Sequence, residues 1–216
     1  MSSFGVAMVR PRPSALEAPH SVALGQDGSA VASAVASLNA PPHPESGIGA
    51  LIRALAASEL AQLEDRLCSF LLLPQLIAGS VFRPALPGDP AAYPVWGDVY
   101  TAEPPFEGER KRYVVVSPNA WNAASPYVSV VRTTSQEKVA HVSFPLILDD
   151  KTRAACGDLD VRNRGQVLLA RRDRPTPSTT RFKDMGAIAR GIAVTFRLGH
   201  ALERAGVTPP EGSTYS

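Results

Sequence analysis

Short runs of apolar residues, some continuous and some alternating, mark strands in the second half of the chain. They lie at Tyr113–Ser117, Tyr127–Arg132, Ala140–Leu148 and Gly165–Ala170. Strands this short, joined by loops without intervening helices, are typical of a small barrel and not of a parallel sheet. Helical spacing over Arg190–Ala205 adds a C-terminal helix. We therefore assign residues 95–206 to one mostly β domain, and residues 207–216 to a flexible tail.

An amphipathic helical region is predicted before this domain. Apolar residues between positions 46 and 73 recur in steps of three and four, which sets them on one stripe of a helix. Pro74 ends that pattern, and we assign residues 46–78 to the helical region. Its stripe is buried either against the β domain or against a partner or second copy. Residues 79–94, rich in Pro, Gly and Ala, are predicted to be a linker.

The first 45 residues are predicted to be disordered. Prolines punctuate a sequence rich in Ala and Ser that has almost no aromatic residues. Such a segment buries too little apolar surface to offset the entropy of an ordered chain. Ala30–Leu38 has the alanine content for a transient helix.

Charge is divided unevenly between the two halves. Residues 1–93 carry 5 Lys and Arg against 7 Asp and Glu, whereas residues 94–199 carry 16 against 11. A basic domain is what binding of a polyanion requires, although a surplus of this size is also common in proteins that bind none.

Cysteine usage and hydropathy exclude several classes of protein. Cys68 and Cys156 are the only cysteines, and their separation gives neither a disulfide framework nor a zinc-binding spacing. Phe70–Leu73 is too short to cross a bilayer, and Phe4–Val9 is too short for the apolar core of a signal peptide. We expect a cytoplasmic protein with no membrane association, metal or cofactor.

One segment carries a recognisable order of motifs. Gly97-Asp98-Val99-Tyr100 begins a strand, a charged loop ends in Arg110-Lys111-Arg112, and the next strand is Tyr113–Ser117. The strand after it closes on Thr133-Thr134-Ser135. This order resembles the MazF/PemK family of toxin endoribonucleases, whose pattern is roughly G-D-[IV]-[WVY], a basic loop, R-P-x-[LV]-V-[VL]-S, and an apolar strand ending in T-[ST]. The resemblance covers about residues 95–205.

The resemblance implies a fold, an activity and partners. The fold is the SH3-like small barrel of the CcdB/MazF type, with a C-terminal helix. The activity is metal-independent cleavage of single-stranded RNA by an mRNA interferase. A homodimer and a cognate antitoxin protein are the expected partners.

Two residues take the positions of the family's catalytic groups. Arg112 matches the active-site arginine, and Thr134 matches the hydroxyl at the end of the following strand, with Thr133 as the neighbouring alternative. His141 is a further candidate, since imidazole titrates near physiological pH. Without the resemblance, Arg112 would be one of three cations on a solvated loop, and the threonines would be ordinary strand-end hydroxyls.

Other cations are candidates for binding the RNA backbone. These are Arg110, Lys111, Arg171, Arg172 and Arg174. The last three could equally form a solvated face.

The chain also departs from the family pattern. Tyr113 replaces the proline that usually follows the arginine, and Ala170–Pro175 replaces a segment that in the family helps to build the dimer interface and substrate groove. An alternative function is therefore a non-catalytic member of the CcdB/MazF fold that binds nucleic acid, DNA included, or a protein such as gyrase. A further hypothesis is that residues 46–73 dock in cis and restrain the enzyme, so that deleting residues 1–90 raises activity.

Overall fold

The computed structural model contains two antiparallel sheets and several helices. It describes residues 4–10, 12–24, 28–38, 55–79, 85–102, 111–134, 143–145, 153–167, 178–179 and 182–214.

A three-stranded sheet forms at the N-terminus. Its strands are β1 (Phe4–Arg10), β2 (Ser21–Ala23) and β3 (Ser29–Leu38), in the order β1-β3-β2. The predicted disorder of residues 1–45 is therefore wrong for these segments. The transient helix over Ala30–Leu38 is wrong as well, because that stretch is the central strand of the sheet.

Packing explains why an alanine-rich segment becomes a strand. The side chains of β3 are small, and Ala30, Val31, Ala32 and Val35 are all buried. The strand packs against the first helix and against a strand of the second sheet, and Ala32 and Val35 belong to the main core. Burial on both sides outweighs the high helix propensity of alanine.

The helical region consists of α1 (Ala57–Phe70) and α2 (Leu73–Ile77). A Glu59 carboxylate oxygen accepts the backbone N–H of Ala56 at 2.8 Å, which fixes the start of α1. The chain then turns at Leu72, whose φ of 58° is left-handed. The helix thus ends before Pro74, which lies in the first turn of α2. Residues 46–54 of the predicted helix lie outside the described residues.

The stripe of α1 is buried within the chain itself. Leu67 and Phe70 belong to the same core as residues of both sheets, with Phe70 only 1% exposed. Of the two places foreseen for this stripe, the structure therefore shows the intramolecular one.

A six-stranded antiparallel sheet follows, in the order β7-β8-β6-β5-β4-β9. Its strands are β4 (Asp98–Ala102), β5 (Lys111–Val115), β6 (Tyr127–Thr134), β7 (Ser143–Pro145), β8 (Arg153–Asn163) and β9 (Ser178–Thr179). The described strands show no pairing of β7 with β9, so no closed barrel is seen. The predicted class, mostly β with a C-terminal helix, is confirmed.

Two local predictions are wrong around β8. Cys156-Gly157-Asp158, whose composition predicts a turn, lies inside the strand, and residues 165–167 of the predicted strand Gly165–Ala170 are helical. The pairing with β6 explains the first error. Val131 faces Leu159 whereas Thr133 faces Ala154, so several residues of β8 are accommodated opposite Arg132. Residues typical of a turn form an irregularity within a continuous strand.

The C-terminal helix is divided in two. The helix α3 (Asn119–Ala124) connects β5 to β6, and α4 (Phe182–Thr195) and α5 (Gly199–Arg204) end the fold. The break between α4 and α5 contains Arg197, with a left-handed φ of 56°.

The second sheet has two differently covered faces. On the helix face, Val114, Val116 and Val131 join the main core with residues of α1, α2, α4 and α5. On the tyrosine face, Tyr100, Tyr113, Val115, Val128 and Val130 form a separate buried cluster. Alternation along each strand therefore decides which environment a side chain enters.

Candidate nucleic-acid site at one end of the second sheet

Four strands of the second sheet have a terminus at the same end of that sheet. The strand β4 ends there at Ala102, β5 begins at Lys111, β6 ends at Thr134, and β8 begins at Arg153. Antiparallel pairing brings these termini together. These strand termini form one end of the sheet, perpendicular to its edge strands. We call it the Arg112 end of the sheet, and it contains Arg112, Thr133, Thr134 and Arg153.

The strand register relates Arg112 to the two threonines. Tyr113 faces Arg132 across β5 and β6, and continuing that register by one residue sets Arg112 opposite Thr133. Arg112 and Thr133 thus share the helix face, while Thr134 is on the tyrosine face. The two residues matched to the family's catalytic groups are diagonal neighbours at one end of adjacent strands.

Exposure separates the two threonines further. Thr133 is only 8% exposed, whereas Arg112 and Thr134 are both half-buried. A large ligand approaching the Arg112 end meets Thr134 more readily than Thr133.

Sequence reasoning missed two residues at this end. Arg153 directly faces Thr134 across β6 and β8, and Thr101 directly faces Arg112 across β4 and β5. Both are half-buried. Arg153 was concealed because the predicted strands stop at Leu148 and resume at Gly165, which leaves Arg153 between them. Thr101 follows Tyr100 in the strand that begins the motif. The alternation of side chains along that strand would have assigned Thr101 to the face opposite that of Tyr100.

Two other arginines of the tyrosine face are held by carboxylates. Arg132 donates through Nε and Nη2 to the same oxygen of Asp158, at 2.9 and 2.8 Å. Arg162 pairs with Asp160 at 2.8 Å. It also donates to the Tyr113 hydroxyl at 2.9 Å, with its guanidinium carbon 4.8 Å from the Tyr113 ring centroid. These contacts hold the side chains in place on this face, and in each pair the carboxylate neutralises the charge of the guanidinium.

The turn after β5 is built by buried polar side chains. The Ser117 hydroxyl donates to the side-chain Oδ1 of Asn122 at 2.5 Å and accepts the backbone N–H of Ser129 at 2.9 Å. The Asn119 side chain accepts the backbone N–H of Trp96 at 2.8 Å. These residues shape the connection between β5 and β6.

Of the remaining predicted site residues, Lys111 is the one that lies within the described ranges. Lys111 is the first residue of β5, opposite Ala102. Outside the described residues are Arg110, His141, Arg171, Arg172 and Arg174.

Within the described ranges, no three His, Cys, Asp or Glu side chains are arranged to hold a metal ion. None of the helices in those ranges is long and apolar enough to cross a membrane.

Comparison with known proteins returns structural matches only. No protein-family model matches the chain, and no curated protein matches it significantly. A mycobacterial endoribonuclease in complex with its cognate antitoxin matches with 18% identity and a TM-score of 0.40, covering 48% of this chain and 94% of that one. A further mycobacterial endoribonuclease matches with 16% identity and a TM-score of 0.40, covering 55% and 96%.

A MazE–MazF complex from Deinococcus radiodurans matches with 20% identity and a TM-score of 0.36, covering 51% of this chain and 96% of that one. The structural matches therefore include the family that the motifs resemble. In each of these three alignments, about half of this chain lies outside the aligned region.

Proposed function

We propose that this chain is a toxin-type endoribonuclease that cleaves single-stranded RNA at the Arg112 end without a metal or other cofactor. The observation that carries the proposal is that Arg112 lies next to Thr133 and Thr134 at the ends of adjacent strands. A guanidinium and a hydroxyl are suited to binding a phosphate and stabilising charge that develops on it.

The reaction is an internal transesterification. The ribose 2′-oxygen loses its proton and bonds to phosphorus, and the bond to the 5′-oxygen breaks as that oxygen gains a proton. The products are a 2′,3′-cyclic phosphate and a free 5′-hydroxyl. Arg112 donates hydrogen bonds to the phosphorane oxygens and the leaving oxygen, and Thr134 positions the phosphate or the 2′-hydroxyl.

The different faces of Arg112 and Thr134 constrain where the RNA binds. A phosphate contacted by both side chains must lie beyond the strand ends, since neither face of the sheet presents both groups. His141 is proposed as an accessory proton-transfer group. Backbone binding is proposed for Arg110, Lys111, Arg171, Arg172 and Arg174.

The assembly that follows from this proposal is a cytoplasmic homodimer restrained by an antitoxin protein. Structural neighbours in complex with an antitoxin or with MazE support that partner class.

Substitutions of Arg112 test the proposal. Arg112→Ala removes the phosphate-binding fork and is expected to abolish cleavage, whereas Arg112→Lys keeps the charge and is expected to retain a small fraction of it. Arg190→Ala, an exposed arginine on α4, is the matched control and should cleave like the wild type. Arg112→Ala protein that is folded and cleaves at the wild-type rate would remove Arg112 from the mechanism.

A second candidate function is binding of nucleic acid or a protein target without catalysis. The register that sets Arg112 and Thr134 on opposite faces favours it, because a catalytic pair usually converges on one reacting atom. RNA binding by a wild-type protein that never cleaves RNA would select this candidate.

A further inference from the structure

The Arg112 end contains a second arginine on the far side of the threonines. Thr134 lies on β6, with β5 on one side and β8 on the other. Arg112 is the second residue of β5, and Arg153 is the first residue of β8. The two arginines therefore lie on the strands that flank β6, and β6 carries the threonine hydroxyls.

Arg153 and Thr134 form a direct cross-strand pair. Residues directly opposite each other in an antiparallel ladder project from the same face, with Cβ atoms roughly 5 Å apart. Arg153 consequently shares the tyrosine face with Thr134, which Arg112 does not. Both members of the pair are half-buried, and the Nε of Arg153 is itself buried, so a ligand at the strand ends would contact Arg153 through its terminal guanidinium nitrogens.

The spacing of the two arginines suits a polyanion with repeating charges. Neighbouring strands are separated by roughly 4.8 Å, so β5 and β8 lie about 10 Å apart across β6. Two arginines whose backbones lie this far apart are not placed to bind one phosphate together. Their long side chains can reach adjacent phosphates of one RNA strand. Arg132 and Arg162 lie farther along the same face and pair with Asp158 and Asp160.

We propose that Arg153 binds a phosphate of single-stranded RNA next to the one held at Arg112. This rests on the proposed function for the identity of the ligand, and adds a residue that neither the motif resemblance nor the sequence analysis assigned. Thr134 then lies between two phosphate-binding arginines, and the RNA backbone crosses the strand ends from β5 to β8.

Binding and cleavage have to be measured separately to test this. The binding probe is a fluorescein-labelled single-stranded RNA of mixed sequence with every 2′-hydroxyl methylated, which cannot be cleaved through its 2′-oxygen. Its affinity for the full chain is measured by anisotropy across a salt series. Loss of one phosphate contact should reduce the slope of log affinity against log salt by about 0.7.

We expect that slope change for Arg153→Gln, and restoration of the wild-type slope by Arg153→Lys, because lysine keeps the charge. Arg190→Gln removes the same charge from α4, which packs on the helix face, and should leave the slope unchanged. Thermal unfolding midpoints confirm that the compared variants are folded.

Several outcomes separate this proposal from the proposed function. A wild-type protein that binds the probe but never cleaves unmodified RNA, together with the slope change in Arg153→Gln, supports the role of Arg153 while removing the endoribonuclease. A folded Arg153→Gln protein with the wild-type slope overturns the role of Arg153, whether or not RNA is cleaved. A wild-type protein that does not bind the probe overturns it too.

Discussion

Side-chain alternation along β6 decides which of two adjacent threonines can meet a ligand. Thr133 is buried on the helix face, whereas Thr134 is half-buried on the tyrosine face and opposite Arg153. The sequence motif matches Thr134 best but leaves Thr133, one residue away, as an alternative. The burial of Thr133 now favours Thr134 on physical grounds.

Valine substitutions make this difference measurable. Thr134→Val removes a hydroxyl with little change in shape and should reduce RNA cleavage by about 10- to 100-fold, the equivalent of a hydrogen bond to a charged group. Thr133→Val should leave the rate within a few-fold of the wild type, since its side chain is 8% exposed. Single-turnover cleavage rates are the measurement, and the reverse ranking would assign the chemistry to Thr133.

Phe70 is the largest buried side chain of α1. It is 1% exposed, and its ring meets that of Trp121 edge-on at a centroid distance of 5.3 Å. Phe70→Ala should lower the free energy of unfolding by about 3–5 kcal/mol. Leu60→Ala, at a position on the same helix that is 43% exposed, should change it by about 0.5 kcal/mol or less. Denaturant unfolding of the two variants tests the ranking, and equal losses would contradict it.

At the scale of single residues, apolar spacing predicted the core at the C-terminal half of α1, whereas Leu60 of the same stripe is 43% exposed. Leu67 and Phe70 follow the helical period and are buried as that period requires. Arg153 was not predictable in the same way. Its importance comes from a pairing with Thr134 between segments distant in sequence, and an irregular strand hid the pattern that would have revealed it.

Among the elements, the short 3₁₀ helix Ala18–His20 joins the N-terminal sheet to the rest of the fold. The His20 ring lies 5.0 Å from the Phe70 ring and 6.1 Å from the Trp121 ring, measured between centroids. Burial, and secondarily the positive charge of Arg66, lowers the pKa of His20 below its usual value. The neutral imidazole is therefore the form that suits this contact.

The pKa of His20 gives the contact a pH dependence of defined sign. Because the pKa is lower in the folded state than in the unfolded state, the contribution of His20 to stability is complete above about pH 6.5. It declines as the pH falls towards and through the folded value. His20→Gln should flatten this part of the stability–pH profile. His200→Gln, which changes an exposed histidine on α5, is the matched control variant. An unchanged profile in His20→Gln would contradict the account.

Element prediction succeeded where periodicity and burial agreed and failed where tertiary packing overrode local preference. The strands β5 and β6 were predicted because apolar runs there enter the two buried faces of the sheet. The strand β3 was not, since its small side chains carry little hydrophobic signal. Its conformation depends on packing against α1 and β8, which lie far away in sequence.

Across the whole molecule, one core joins the N-terminal region to the second sheet. Residues of β3, α1 and α2 share that core with β5, β6, β8 and the C-terminal helices. Arg204 of α5 also reaches back to Asp65 of α1, at 2.8 Å. The N-terminal region is therefore an integral part of the fold. This argues against the hypothesis that it is a detachable segment that restrains the enzyme.

Deleting residues 1–90 should therefore destabilise the fold and should not activate RNA cleavage. The deletion removes Phe70, Leu71 and Leu73, each at most 2% exposed, and uncovers their partners in the second sheet. We expect loss of cooperative thermal unfolding and of RNA cleavage. A truncated protein that unfolds cooperatively and cleaves RNA faster than the full chain would instead support restraint in cis.

The most direct test of the central claim is cleavage of a long single-stranded RNA by the purified full chain in EDTA, with both product ends mapped. Wild-type protein should generate 2′,3′-cyclic phosphate and 5′-hydroxyl ends at defined positions, Arg190→Ala should give the same cuts, and Arg112→Ala should give none. The absence of cuts by wild-type protein that is folded and free of antitoxin, or identical cuts by Arg112→Ala, would contradict the assignment of RNA cleavage to the Arg112 end of the sheet.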